Sequence, residues 1–333
     1  MTASLIKLEE VNTWFPYSKP IVGKPESWVK AVNDVSLNII EGECIGLVGE
    51  SGCGKSTLGR TILRLAPLYS GNIHFLGDNI GKLSAKRLKP YRAKMQMVFQ
   101  DPKASLNPKM TVFKILKEAL VLNKRVAKED YLEQAVKLLN LVDLRPEHIY
   151  RYPHEFSGGQ QQRISIARAL ATDPKFIVFD EATSALDVSV QAQVINLMKA
   201  LQDKLMLTYL FISHDLSIME HVCSRVAVMY AGQVVEVQNS RSLFDAPRHP
   251  YTRALKNAVP IADPESKNDL GILKGDVPKL SNPPSGCHFH PRCDFRDKIC
   301  SKVSPEVSKI NENSWVRCHL HEKLWKHGAL ISE

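Results

Sequence analysis

Four short runs of apolar, largely β-branched or aromatic residues lie at 44–48, 176–179, 209–212 and 226–229, separated by stretches with helical spacing. Runs of that length, bounded by turn residues, predict buried strands. Strands alternating with helices predict an α/β fold built on parallel strands. Between the first two runs, over about 100–155, apolar residues recur at helical spacing in 112–122 and 130–141 with no convincing strand between them. This segment reads as a helical subdomain inserted into a core domain of residues 1–240. After Gly232 the pattern weakens, and Pro247, Pro250, Pro260, Pro264, Pro278, Pro283 and Pro284 punctuate the chain. Residues 241–333 therefore read as a loop-rich C-terminal extension and not as a second domain. No internal repeat is visible, so a single core unit is expected.

Composition changes this picture little. The chain has 333 residues, 44% hydrophobic and 24% charged, which is ordinary for a globular protein able to bury a sizeable core. No apolar run reaches the length of a membrane helix, and the start, MTASLIKLEE, lacks the layout of a signal peptide. The expectation is a cytoplasmic protein that reaches a membrane only through partners. The net charge of +9 is unevenly spread: residues 82–125 hold twelve Lys and Arg against two acids, Asp101 and Glu118. Such a segment suits either a solvated face or an anionic neighbour, nucleic acid or lipid headgroups.

The candidate chemistry begins where the first strand ends. Residues 49–57 read GESGCGKST, the phosphate-loop spacing Gly49-x-x-x-x-Gly54-Lys55-Ser56. Glycines permit a tight loop whose backbone N–H groups point into one concave nest, and the helix expected from 57 to 65 presents its positive end to the same place. Gly49, Ser51, Gly52, Cys53, Gly54, Lys55, Ser56 and Thr57 are the candidate nucleotide contacts. Lys55 is placed for the β and γ phosphates, and the Ser56 hydroxyl for Mg²⁺. The run at 176–179 leads into Asp180 and Glu181. Asp180 is the candidate Mg²⁺ ligand, and Glu181 the base that polarises the attacking water. His214 ends the following strand, placed to meet the γ phosphate. Ser157-Gly158-Gly159-Gln160 opens another helical stretch and forms a second anion site.

Two such sites in one chain discriminate among phosphate-loop enzymes. The sequence resembles the ATP-binding cassette (ABC) ATPases over approximately residues 5–240. In that family the segment at 157–160 is the signature, which closes over the γ phosphate held by the phosphate loop of a second cassette. The resemblance makes Gln100 the Q-loop residue, a further contact to Mg²⁺ and the attacking water, and Ser184-Ala185-Leu186-Asp187 the D-loop. It implies hydrolysis of ATP by a pair of cassettes. Glu181-Ala182-Thr183 departs from the usual Glu-Pro-Thr, a change that removes no chemical group. An aromatic upstream of the phosphate loop stacks on adenine in this family. Trp14, Phe15, Tyr17 and Trp28 compete for that role, and Phe15, which ends the first apparent strand, is preferred.

Residues 248–255 (RHPYTRAL), 286–293 (GCHFHPRC) and 103–108 (KASLNP) extend the resemblance to the ATPases of dipeptide and oligopeptide importers, in particular the second, F-type subunit. This implies a different ATPase subunit as partner, two transmembrane permeases meeting the helical insert, an extracytoplasmic binding protein, a place on the cytoplasmic face of the membrane, and no nucleic-acid partner. Related importers take nickel or other small solutes. A soluble ABC ATPase of DNA repair or translation is a rival reading, although those proteins carry two cassettes or a long coiled-coil insertion. Seven cysteines occur, four of them at Cys287, Cys293, Cys300 and Cys318. A cytosolic location argues against disulfides, and four thiolates in a segment poor in apolar residues suit a 4Fe–4S cluster or Zn²⁺. His288, His290, His319 and His321 keep a mixed zinc site open. The resemblance to cysteine-bearing importer ATPases favours the 4Fe–4S cluster.

Overall fold

In the computed structural model, which describes residues 4–17, 27–123, 126–258 and 275–324, the strand-like runs are strands. The strands are β1 (Ser4–Pro16), β2 (Trp28–Ile40), β3 (Cys44–Val48), β4 (Ser70–Phe75), β5 (Asp78–Asn79), β6 (Met95–Val98), β7 (Phe176–Asp180), β8 (Thr208–Ile212), β9 (Arg225–Tyr230), β10 (Gln233–Asn239), β11 (Ser308–Asn311) and β12 (Ser314–Val316). Every residue of β3, β7, β8 and β9 is buried, the near-continuous apolar pattern of strands covered on both faces. The chain divides into two compact units. One comprises Met1–Leu5, Ile39–Cys44 and Phe75–Ile212; the other comprises Ile6–Asn38, Ile45–His74 and Ser213–Glu333.

The first unit is helix-rich. Its strands run parallel in the order β6-β7-β8, with Met95 opposite Phe176 and Phe176 opposite Thr208. Helix α1 (Lys55–Ile62) belongs to the other unit; here the chain continues with α2 (Ala85–Lys94), α3 (Pro102–Ser105), α4 (Val112–Leu120), α5 (Tyr131–Leu141), α6 (Gly158–Leu170) and α7 (Val188–Leu205). Asp101 caps α3 by accepting from the N–H groups of Lys103 and Ala104, with Pro102 at the first helical position. Thr111 caps α4, which buries Val112, Ile115, Leu116 and Leu120, the stripe that helical spacing predicts. Most of α2 is exposed, with Leu88 its buried residue, so its cations face solvent. Lys124 and Arg125 of the basic stretch lie outside the described residues.

The second unit holds the phosphate loop. Its strands run in the order β3-β9-β10-β12-β11, and β2, β1 and β4 are neighbours in another sheet. β3 and β9, both read from the sequence, are parallel as expected, whereas the further pairs β9-β10, β10-β12 and β12-β11 are antiparallel. α8 (Leu216–Val222), α9 (Ser240–Asp245), α10 (Pro250–Asn257) and α11 (His321–Leu324) complete the set. Among its described residues the extension contributes two short strands. Trp315 and Val316 pair with Val237 and Glu236, adding two strands whose short, mixed sequences give no run to detect. Pro260 and Pro264 lie outside the described residues.

Candidate functional site

The phosphate loop leaves β3 at Val48 and opens α1 at Lys55, two residues earlier than the spacing predicts. Gly54 is the N-cap, with φ 110° and no side chain to cap the helix, so the positive end of α1 opens directly onto the loop. A Cβ at Gly54 would lie 2.1 Å from the Ala31 carbonyl oxygen, which explains why this position takes glycine. The Cys53 carbonyl accepts from the Gly232 N–H at 2.9 Å, and the Cys53 thiol is pushed up in pKa by burial. Lys55 is buried, its Nζ donating to the carbonyls of Gly49 at 2.8 Å and Glu50 at 3.1 Å. The ammonium thus sits folded back on the mouth of the loop. Ser51 and Gly52 are exposed, and Ser56 and Thr57 half-buried. In the same unit His214 is exposed just before α8, whose N-cap is Asp215.

The helix-rich unit gathers a second set. Asp180 is buried at the end of β7. Glu181 follows with φ 49° and donates its N–H to the Ile212 carbonyl at 3.0 Å. A non-glycine residue held in the left-handed region marks local strain of the kind kept at working sites. Gln100 Nε2 donates to Glu181 Oε2 at 3.0 Å and to Ser184 Oγ at 3.4 Å, while Ser184 Oγ donates to the Glu181 carbonyl at 2.8 Å. The glutamine, glutamate and first D-loop residue predicted separately are therefore brought together.

Ser157 caps α6 reciprocally with Gln160: the Gln160 N–H donates to Ser157 Oγ at 3.4 Å, and the Ser157 N–H to Gln160 Oε1 at 3.0 Å. Ser157 and Gln160 so hold the start of the helix in shape. A Cβ at Gly159 would fall 2.3 Å from Val190 Cγ1, so glycine lets α6 pack on α7. Val188, which opens α7, is 83% exposed.

The upstream aromatics are partly committed elsewhere. Trp14 stacks on Tyr69 with centroids 4.2 Å apart, Trp28 meets Tyr69 edge-on at 5.2 Å, and Lys30 Nζ lies 5.0 Å from the Trp14 ring centre. Tyr69, remote in sequence, gave no signal of its place in this cluster. Phe15 is half-buried near the end of β1, and Tyr17 is exposed.

The expectation of a 4Fe–4S cluster or zinc at Cys287, Cys293, Cys300 and Cys318 is corrected. Among the described residues no group of three or more His, Cys, Asp or Glu is arranged to hold a metal ion. The four cysteines line a cavity of only about 10 Å³ together with Phe289 and Leu320, room for about one water. Burial pushes the Cys293 thiol up to about 11 and the Cys318 thiol up to about 12. The neighbouring histidines are engaged by backbone: His288, His290, His319 and His321 each place a ring nitrogen 2.8–3.0 Å from a carbonyl oxygen. The segment is anchored through Phe289, which packs edge-on against Tyr230 of β9 at 5.2 Å and at a tilt against Tyr251 at 5.4 Å.

A glycine loop opening an uncapped helix, an Asp-Glu pair ending a buried strand, a glutamine on that glutamate and a serine-capped second helix are the parts of an ATP-binding cassette. Residues 32–184 match the ABC transporter family, and residues 235–300 match the oligopeptide/dipeptide transporter C-terminal region. The oligopeptide transport ATP-binding protein AppF of Bacillus subtilis is 47% identical over 321 residues, covering 96% of this chain and 98% of its own. OppF of Haemophilus influenzae is 47% identical over 89% of this chain and 90% of its own. Among solved structures, cbiO1 of an ABC transporter complex from Clostridium perfringens superposes with a TM-score of 0.63 at 27% identity, over 72% of this chain and 90% of its own. A dimeric ATP-binding cassette in a post-hydrolysis state with ADP and Pi superposes with a TM-score of 0.62 at 28% identity, over 71% and 99%. The chain belongs to the ABC transporter ATPases, in the branch that carries the oligopeptide/dipeptide transporter C-terminal region.

Proposed function

We propose that this chain hydrolyses ATP to power the import of peptides across the cytoplasmic membrane. The observation that carries the reading is that similarity to oligopeptide transport ATP-binding proteins runs almost the whole length of the chain, including the C-terminal region at 235–300. The chain works as one of two unlike ATPase subunits, peripheral to the cytoplasmic face beneath two permeases that receive substrate from an extracytoplasmic binding protein. No helix among the described residues is long and apolar enough to cross a membrane, which fits a subunit that depends on permeases.

Lys55 and the N–H groups of the loop hold the phosphates, with the aromatic ring of Phe15 under the adenine. The hydroxyl of Ser56, the carboxylate of Asp180 and the amide oxygen of Gln100 are hard oxygen donors of the kind Mg²⁺ takes. When bound, that ion neutralises phosphate charge. Glu181 accepts a proton from the attacking water, Gln100 fixes the carboxylate through the 3.0 Å bond, and His214 orients the γ phosphate. With one phosphate loop and one Ser157 segment per chain, a complete site takes Ser157, Gly158, Gly159 and Gln160 from a second cassette.

The test is peptide uptake and ATP turnover in the assembled transporter. Deleting this chain abolishes uptake of a labelled oligopeptide, and turnover by the purified chain rises steeply when its partner ATPase is added. Full turnover by a strictly monomeric chain defeats the pairing; unchanged peptide uptake without the chain defeats the transport role.

A further inference from the structure

Glu50, the second residue of the phosphate loop, is held from outside the loop at its side chain and its N–H. Its carboxylate takes both prongs of the Arg292 guanidinium, Nη1 to Oε2 at 2.7 Å and Nη2 to Oε1 at 3.1 Å. Its N–H donates to the Tyr251 hydroxyl at 2.8 Å, and its carbonyl accepts from Lys55 Nζ at 3.1 Å. The Arg292 side chain is 5% exposed and that of Glu50 23%. The guanidinium carbon stands 5.9 Å from the centre of the Tyr230 ring, and Nη1 is 3.4 Å from the Tyr230 hydroxyl. A planar guanidinium gripping a carboxylate with two parallel bonds is the strongest side-chain contact open to a protein at such a place. Arg292 and Tyr251 both lie in the C-terminal region at 235–300, beyond the stretch matched to the ABC cassette.

A polyphosphate entering this loop meets the Glu50 carboxylate close by, in surroundings that screen charge less than bulk water does. Glu50 alone opposes binding; Glu50 neutralised by Arg292 does not. We propose that Arg292 is a positioning residue of the nucleotide site, cancelling and orienting Glu50 so that the C-terminal region sets the affinity of the phosphate loop for ATP. This rests on the reading that residues 49–57 bind the phosphates of ATP. The extension then serves the cassette directly, because the turn His290–Arg292 must be in place for the loop to be electrically neutral at Glu50.

The experiment measures equilibrium binding of Mg–ATP and Mg–ADP to the full chain, together with thermal unfolding. Arg292→Gln weakens ATP binding roughly tenfold, and ADP less, because the repulsion grows with phosphate charge. Glu50→Gln, which leaves the guanidinium uncompensated beside the loop, binds ATP a few-fold more tightly than wild type. The double variant Arg292→Gln/Glu50→Gln regains most of the lost affinity, a rescue that a merely packing role does not produce. Should Arg292→Gln fail to fold, Glu50→Gln still decides, since a loss of affinity there overturns the proposal. Wild-type binding by Arg292→Gln, or a double variant as weak as the single, also overturns it. Lys55→Ala separates the two readings: if it too binds ATP as wild type does, the loop is not the phosphate site. If Lys55→Ala alone loses binding, only the role of Arg292 falls.

Discussion

Gly54→Ala tests whether the loop is shaped by the close approach of two backbone segments. Gly54 has φ 110°, and a Cβ there would lie 2.1 Å from the Ala31 carbonyl oxygen and 2.8 Å from Met229 Cε. Met229 can move its terminal carbon, but the carbonyl belongs to β2 and has no such freedom. Gly52 is the internal control, with φ 78° and no atom within 4 Å of its added Cβ. Gly52→Ala therefore costs only the left-handed backbone penalty, about 1–2 kcal/mol. Gly54→Ala costs that plus the strain of overpacking, about 1–3 kcal/mol more. Urea unfolding of the nucleotide-free variants measures both, and in thermal unfolding each kcal/mol appears as roughly 2–4 °C. The displaced start of α1 also lowers ATP affinity in Gly54→Ala. Equal stability of the two variants would show that the contact with Ala31 does not constrain the loop.

Glu181→Gln keeps the shape of the side chain and gives up its basicity, so ATP binding persists while turnover in the assembled transporter falls about 10²–10⁴-fold; near-normal turnover in a site known to be limiting removes Glu181 as the base. His249 is 1% exposed, accepts from the Tyr251 N–H at 3.1 Å as the cap of α10, and is held by burial at about 3. Below pH 6.5 the unfolded chain takes up a proton that folded His249 refuses, so stability falls toward pH 3 at up to about 1.4 kcal/mol per pH unit. His249→Asn keeps a capping acceptor and flattens that slope. Glu236, whose carboxylate accepts from the His249 N–H at 2.9 Å and is pushed up by burial, is present in both proteins, so the difference belongs to His249. Parallel profiles between pH 7 and 4 refute the assignment.

Local motifs were legible because their chemistry is carried by neighbours in sequence. The phosphate loop needs glycines, a lysine and a hydroxyl within nine residues, and β7 ending in Asp180 and Glu181 is an apolar run followed by its acids. Contacts between distant residues left no such trace. Gln100 and Glu181 stand 81 positions apart, and Arg292 and Glu50 stand 242 apart; nothing in the spacing of either residue announces its partner. The cysteines show the opposite error. Four thiols crowded into one segment suggested a shared ion, because a sequence records proximity along the chain but not cavity volume or burial. Folding places them around a space of about 10 Å³ beside Phe289, where burial raises the pKa of the Cys293 and Cys318 thiols. The extension reads as loop because β11 and β12 are too short and too mixed in polarity to form a run, and become strands only by pairing, β12 with β10 and β11 with β12. What the sequence determined by itself was the class of chemistry, through residue types at short fixed spacings and the burial pattern of single strands. What tertiary structure alone decided was which distant side chains share a charge, a cap or a cavity, since those depend on the return path of the chain and on the solvent each group loses along it.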